Sequence, residues 1–196
     1  MDDVVQKGLY YTQISISDEL KKVIHSSDII LDIGYHFGEF PFLLKLKAIG
    51  YEAVKQQYKL TNDDVFYKAV IGYERPITFN FVPNDTLLSS CVNTGRGGAI
   101  EQKEVDTILF NDVLKAHSEC TILKIDVEGE EWNYNFNNIP LNINAIVLEK
   151  HYINNQKDTI VLPEFDLVSY KEYPHTHTTD NTYIRKKRYY CSYDCI

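Results

Sequence analysis

The apolar positions of this chain change period several times along its length. Over residues 18–25 polar and apolar side chains fall at helical spacing, and Ser17 offers a hydroxyl to the first turn, so a lead-in helix is predicted. Residues 28–33 form a short apolar, β-branched run that ends at Gly34, and residues 38–49 return to helical spacing. The order read there is strand, glycine turn, helix. Beyond Gly50, residues 51–60 fit either a short second strand with a turn or a second helix. Residues 65–71 and 76–82 carry the β-branched and aromatic side chains of strands, with 72–75 as the turn, and predict a hairpin-like excursion.

Residues 84–100 read as a long surface loop, because 93–98 hold three glycines and no large apolar group. A short strand over 105–109 follows, then a helix capped by Asn111 or Asp112 and running through His117. Residues 120–127 are a nearly continuous apolar run interrupted by Lys124, which predicts a central strand. Residues 128–138 open with three carboxylates in the first four positions, which suits the positive end of a helix dipole, and 144–148 is a further buried strand. Residues 165–170 and 182–185 predict an antiparallel hairpin at the sheet edge. Strands alternating with helices make this an α/β chain: a mostly parallel twisted sheet, helices on both faces, a C-terminal antiparallel hairpin, and a ligand crevice beyond the carboxyl ends of the strands.

The 196 residues suit a single domain, with a lead-in over 1–27, a core over 28–188 and a tail over 189–196. A formal charge of -8 argues against nucleic acid as a partner, since each neutralised phosphate needs a cation from the protein. The basic run 185–188 follows a strand and reads as a solvated strand end. No stretch approaches the ~20 consecutive apolar residues of a membrane span, and residues 1–10 lack the pattern of a signal peptide, so a cytoplasmic location is expected. Cys91, Cys120, Cys191 and Cys195 lack the paired spacing of a zinc site, and reduced thiols are expected.

Two segments carry candidate chemistry. In Asp32-Ile33-Gly34-Tyr35-His36-Phe37-Gly38, Gly34 permits a tight turn after a strand and Gly38 lets a helix N-terminus approach a ligand. In Leu123-Lys124-Ile125-Asp126-Val127-Glu128-Gly129-Glu130-Glu131-Trp132, Asp126 falls at the carboxyl end of a buried strand. A carboxylate there can hold a cation, attract a sulfonium, accept a proton, or simply cap a helix.

Together these segments, with Asp126 lying 94 positions after Asp32, resemble the FkbM family of S-adenosylmethionine-dependent methyltransferases. Its usual pattern is a D-[IV]-G-x-[NH]-x-G turn and a later K-[IV]-D-[VI]-E-G-x-E segment. The likeness extends to Pro83-Asn84-Asp85-Thr86-Leu87-Leu88-Ser89-Ser90 and to Ala145-Ile146-Val147-Leu148-Glu149-Lys150-His151, and spans residues 29–185. The resemblance implies a Rossmann-like methyltransferase fold on a seven-stranded sheet, and methyl transfer from S-adenosylmethionine to a hydroxyl of a small molecule or sugar. It implies that Asp32, Gly34, Tyr35, His36 and Gly38 bind the cofactor, with Asp126 near the methyl centre. Asp126, Glu128, Glu149 and His151 are then the candidates for acceptor binding or proton removal, and no resident metal is implied. His175 and His177 offer a weaker alternative, as metal ligands beside Asp126 or Glu149.

Two features depart from the family pattern. Only 37 positions separate Asp32 from Ala69, with Lys55, Gln56 and Gln57 where the family's ribose-binding acid is expected and Glu52 the nearest carboxylate. Tyr35 stands where the family usually has a small residue. These departures support a second reading: a methyltransferase-like domain that has lost its cofactor and works as a binding or assembly module with a protein partner. A metal-dependent hydrolase using Asp126, Glu128 and the late histidines ranks third.

Overall fold

The computed structural model describes residues 16–55, 59–81, 101–153 and 156–186. The expectations for residues 1–10, the segment 83–90, the loop 84–100, Gln56, Gln57, Cys91, Cys191, Cys195 and the tail lie outside these residues. Among the described residues, seven strands form one sheet in the order β10-β11-β9-β8-β1-β2-β3. They are β1 (Ile29–Ile33), β2 (Lys47–Tyr51), β3 (Asp64–Phe66), β8 (Ile122–Ile125), β9 (Ala145–His151), β10 (Phe165–Tyr173) and β11 (Thr178–Arg185). The five strands from β3 to β9 are mutually parallel, while β11 runs antiparallel to both β9 and β10. The chain is therefore an α/β protein with a mostly parallel sheet and an antiparallel C-terminal hairpin, as its alternating pattern predicts.

Alternation along β1 explains why its run is almost wholly apolar. Leu31 and Ile33 enter one buried cluster with Phe110, Val113, Leu123 and Ile125, whereas Ile30 enters a second with Leu20, Tyr35, Phe40 and Ile122. Both faces of the central strands are thus out of water, the condition that favours continuous apolar runs. The helices that reach these clusters are few and short: α1 (Asp18–Val23), α2 (Glu39–Leu44) and α3 (Phe110–Ala116). Ser17 caps α1 by accepting from the Leu20 amide, as expected. No helix among the described residues is long and apolar enough to cross a membrane.

Three expectations are corrected. The helix expected over 38–49 stops at Leu44, where Lys45 adopts a left-handed conformation (φ 56°) and the chain starts β2. The second strand therefore lies ahead of the place its weak apolar pattern pointed to. The hairpin expected from 65–71 and 76–82 does not form. Residues 65–71 divide into β3 in the main sheet and β4 (Ala69–Ile71), which pairs in parallel with β7 (Thr107–Leu109), while β5 (Phe79–Phe81) pairs with β6 (Glu101–Lys103). Lastly, the helix expected over 128–138 is two 3-10 turns, Glu130–Asn133 and Phe136–Asn138. Asn side chains compete for the backbone there: Asn135 Oδ1 accepts from the Asn137 amide at 3.0 Å.

Candidate functional site

The chain leaves β1 for β2 on one side, while β8 joins β1 on the other. Strand order thus reverses between β1 and β8, and a crevice opens beyond their carboxyl ends. Gly34 follows β1 directly with φ 83°, and its amide donates to the Tyr51 carbonyl at 2.9 Å. A side chain at this position would run into the carbonyl of Asp126, so the turn requires glycine on two counts. The Asp126 amide in turn donates to the Ile33 carbonyl at 2.9 Å, which fixes the two strand ends against each other.

The crevice holds a cavity of about 80 Å³ and is partly open to solvent. Gly34, His36, Glu52, Lys68, Asp126 and Glu128 are among the residues lining it. Two of these, His36 (φ 49°) and Glu128 (φ 51°), hold left-handed conformations without being glycine. Each costs on the order of 1–3 kcal/mol, and such strain collects at ligand sites. The Glu52 carboxylate lies at the end of β2 and accepts from the amides of His36 and Val54, each at 2.9 Å. Burial raises its pKa, and those two amides oppose the rise.

Behind the crevice wall, Lys124 links the two motifs. Asp32 and Lys124 are paired across β1 and β8, so the side chains share one face of the sheet. The ammonium lies 3.1 Å from Asp32 Oδ1, donates to the Gly34 carbonyl at 2.6 Å, and lies 3.6 Å from Asp126 Oδ2. Burial pushes the Asp32 carboxyl up to about 7 against the opposing pull of Lys124. Burial also works against the charge on Lys124, but Asp32 and Asp126 outweigh it and hold the ammonium above its ordinary value.

On the other side of Asp126 lies a cluster of carboxylates around one imidazole. His151 is 1% exposed. Its Nε2 is 3.4 Å from Glu128 Oε2, 3.5 Å from Glu149 Oε1 and 3.9 Å from Asp126 Oδ1. Its Nδ1 lies 3.2 Å from Glu131 Oε1, and that same oxygen accepts from the His151 amide at 2.6 Å. Burial lowers the pKa of His151, but Glu128 and Glu131 outweigh it and the net direction is upward. Glu149 is raised by burial first and then by the charge of Asp126.

Of the residues singled out in the sequence, Gly34, His36, Asp126 and Glu128 meet at the crevice. Glu149 and His151 stand behind Asp126, and Asp32 is wholly buried against Lys124. Tyr35 points away: its ring packs beneath Gly50 and Gly38 in the second core cluster, and its hydroxyl bonds Thr61 and Asp63. It does not fill the crevice. His175 and His177 are exposed in the β10–β11 turn, and among the described residues the group able to share an ion is Asp126, Glu128 and His151 instead. Sequence reasoning passed over Lys124 and Glu131 as functional residues. The two-residue spacing of Lys124 from Asp126 was a legible signal, and Glu131 closes the K-[IV]-D-[VI]-E-G-x-E pattern, but its partner His151 lies 20 positions away.

No protein-family model, no curated protein and no solved structure matches this chain.

Proposed function

We propose that this chain is an S-adenosylmethionine-dependent methyltransferase with a Rossmann-like methyltransferase fold, acting on a hydroxyl of a small molecule or sugar. The observation that carries the reading is the crevice at the point of strand reversal, where the glycine turn after β1 meets the Asp126 segment after β8. In open α/β sheets ligands occupy this place. Contributions of α1 and α2 to one buried cluster and of α3 to the other support helices on both faces.

The chemistry fits the charges present. S-adenosylmethionine carries a sulfonium and an ammonium, and Asp126 and Glu128 line the crevice as carboxylates able to attract them. Glu52 stands at the end of β2, and each of its oxygens keeps a free lone pair after accepting one amide, so it remains able to accept from ribose hydroxyls. Methyl transfer is an in-line displacement: the acceptor oxygen forms a bond to the methyl carbon, the carbon–sulfur bond breaks to leave neutral S-adenosylhomocysteine, and the hydroxyl proton goes to a base. Glu128 or Asp126, at the crevice edge, accepts that proton. His151 is buried behind them.

Calorimetric titration of the full chain with S-adenosylmethionine and S-adenosylhomocysteine tests the reading. Saturable binding in the micromolar range is expected for both, weakened at least about tenfold for the cationic ligand by Asp126→Asn. Folded protein that binds neither ligand at millimolar concentration would refute it and leave the non-catalytic binding module.

A further inference from the structure

We propose that Asp126, Glu128 and His151 bind one divalent first-row metal ion, of the Mn²⁺ or Zn²⁺ kind, in the wall of the crevice. One ligand atom from each of the three lies within 4.8 Å of the others. An octahedral ion with bonds of about 2.1 Å sets neighbouring ligand atoms about 3.0 Å apart and opposite ones about 4.2 Å apart. The separations of His151 Nε2 from Glu128 Oε2 (3.4 Å) and from Asp126 Oδ1 (3.9 Å) are already close to that frame.

A second observation points to a ligand independently of the carboxylates. The imidazole of His151 is almost fully buried, yet its Nε2 makes no well-formed hydrogen bond. Its carboxylate neighbours attract it as charges at 3.4–3.9 Å without a well-formed hydrogen bond, and buried polar atoms are rarely left so. The nitrogen faces Asp126, Glu128 and, at 3.5 Å, Glu149. Its orientation is fixed from behind, where Glu131 takes Nδ1 and is itself held by the amides of Gly129 and His151. A carboxylate on the far nitrogen of a metal-ligating imidazole is a recurrent arrangement that sets ring direction and donor strength.

The donor set selects the ion. One imidazole with carboxylates suits Mn²⁺ or Zn²⁺, whereas Ca²⁺ prefers oxygen alone. Binding displaces any proton on Nε2 to solvent, and water fills the remaining positions. If the methyl-transfer reading holds, such an ion sits where it can polarise the acceptor hydroxyl; the ion site itself does not depend on that reading.

The test uses full-length protein stripped with EDTA and dialysed, titrated with MnCl₂ alone while free Mn²⁺ is followed by electron paramagnetic resonance, and with ZnCl₂ by calorimetry. Saturable uptake of one ion per chain is expected, weakened at least about tenfold by His151→Gln and by Glu128→Gln. Since His151 is buried, the partly exposed Glu128→Gln variant carries the comparison, with circular dichroism establishing its native fold. No saturable uptake of either ion by folded wild type, or uptake that Glu128→Gln leaves unchanged, would overturn the proposal. S-adenosylmethionine binding measured in EDTA reports separately on methyl transfer, so either idea can fail while the other stands.

Discussion

Replacing Lys124 by methionine removes the ammonium beside a carboxyl buried out of reach of bulk solvent. Asp32 is fully buried, and its carboxyl already stands at about 7 instead of the ordinary 3.8. That displacement corresponds to about 4 kcal/mol of lost preference for the ionised form. Between those two values the folded chain retains a proton that the unfolded chain releases, so stability falls as pH rises toward 7. Without Lys124 the folded value climbs further, and the decline extends into the alkaline range. At pH 8.5 the variant should lose about 3–5 kcal/mol, the cost of leaving one member of a buried pair uncompensated. At pH 5 the loss should be smaller, because Asp32 is then protonated in the fold. Asp32→Asn added to Lys124→Met should recover at least about 2 kcal/mol at pH 8.5 by removing the stranded charge. Urea unfolding of the three proteins at both pH values measures this. A loss below about 1 kcal/mol at pH 8.5, or a double variant no more stable than the single one, would refute the reasoning.

Tyr35→Phe should cost about 1–2 kcal/mol through its lost hydrogen bonds to Thr61 and Asp63, while leaving S-adenosylmethionine affinity unchanged because the hydroxyl points away from the crevice; paired melting and calorimetry check both parts. Gly34→Ala should destabilise by at least about 2 kcal/mol in urea, since any Cβ meets the Asp126 carbonyl and the backbone is left-handed. Cys120 is buried and burial pushes its thiol up to about 12, so it should resist iodoacetamide in the native protein at pH 8 and react after unfolding, as read by peptide mass mapping.

What the sequence made legible follows from how local each signal is. β1, β8 and β9 are covered on both faces, so their apolar runs announce them whatever their neighbours. The glycine turn and Asp126 could be placed because each adjoins such a run. β2 was hidden: Gly50 interrupts its pattern, and the reason lies in the fold, where Tyr35 packs against the space a side chain at 50 would occupy. That same contact settles where Tyr35 points, which no local rule could decide. The pairings of β4 with β7 and β5 with β6 join segments far apart in the chain, so the proximity of 65–71 and 76–82 misled. The β1–β8 register sets Lys124 opposite Asp32, which explains the one charge inside an apolar strand. Glu131 closes the K-[IV]-D-[VI]-E-G-x-E pattern, but its contact with His151, 20 positions on, is set by the fold.

Hydrogen–deuterium exchange with saturating S-adenosylhomocysteine reports both whether the crevice binds the ligand and where. Slowed exchange is expected in peptides spanning residues 33–39, 52–55 and 126–131, with the β10–β11 hairpin unaffected. Exchange unchanged everywhere, or protection confined to β10 and β11, would contradict the assignment of the crevice between β1 and β8 as a cofactor site.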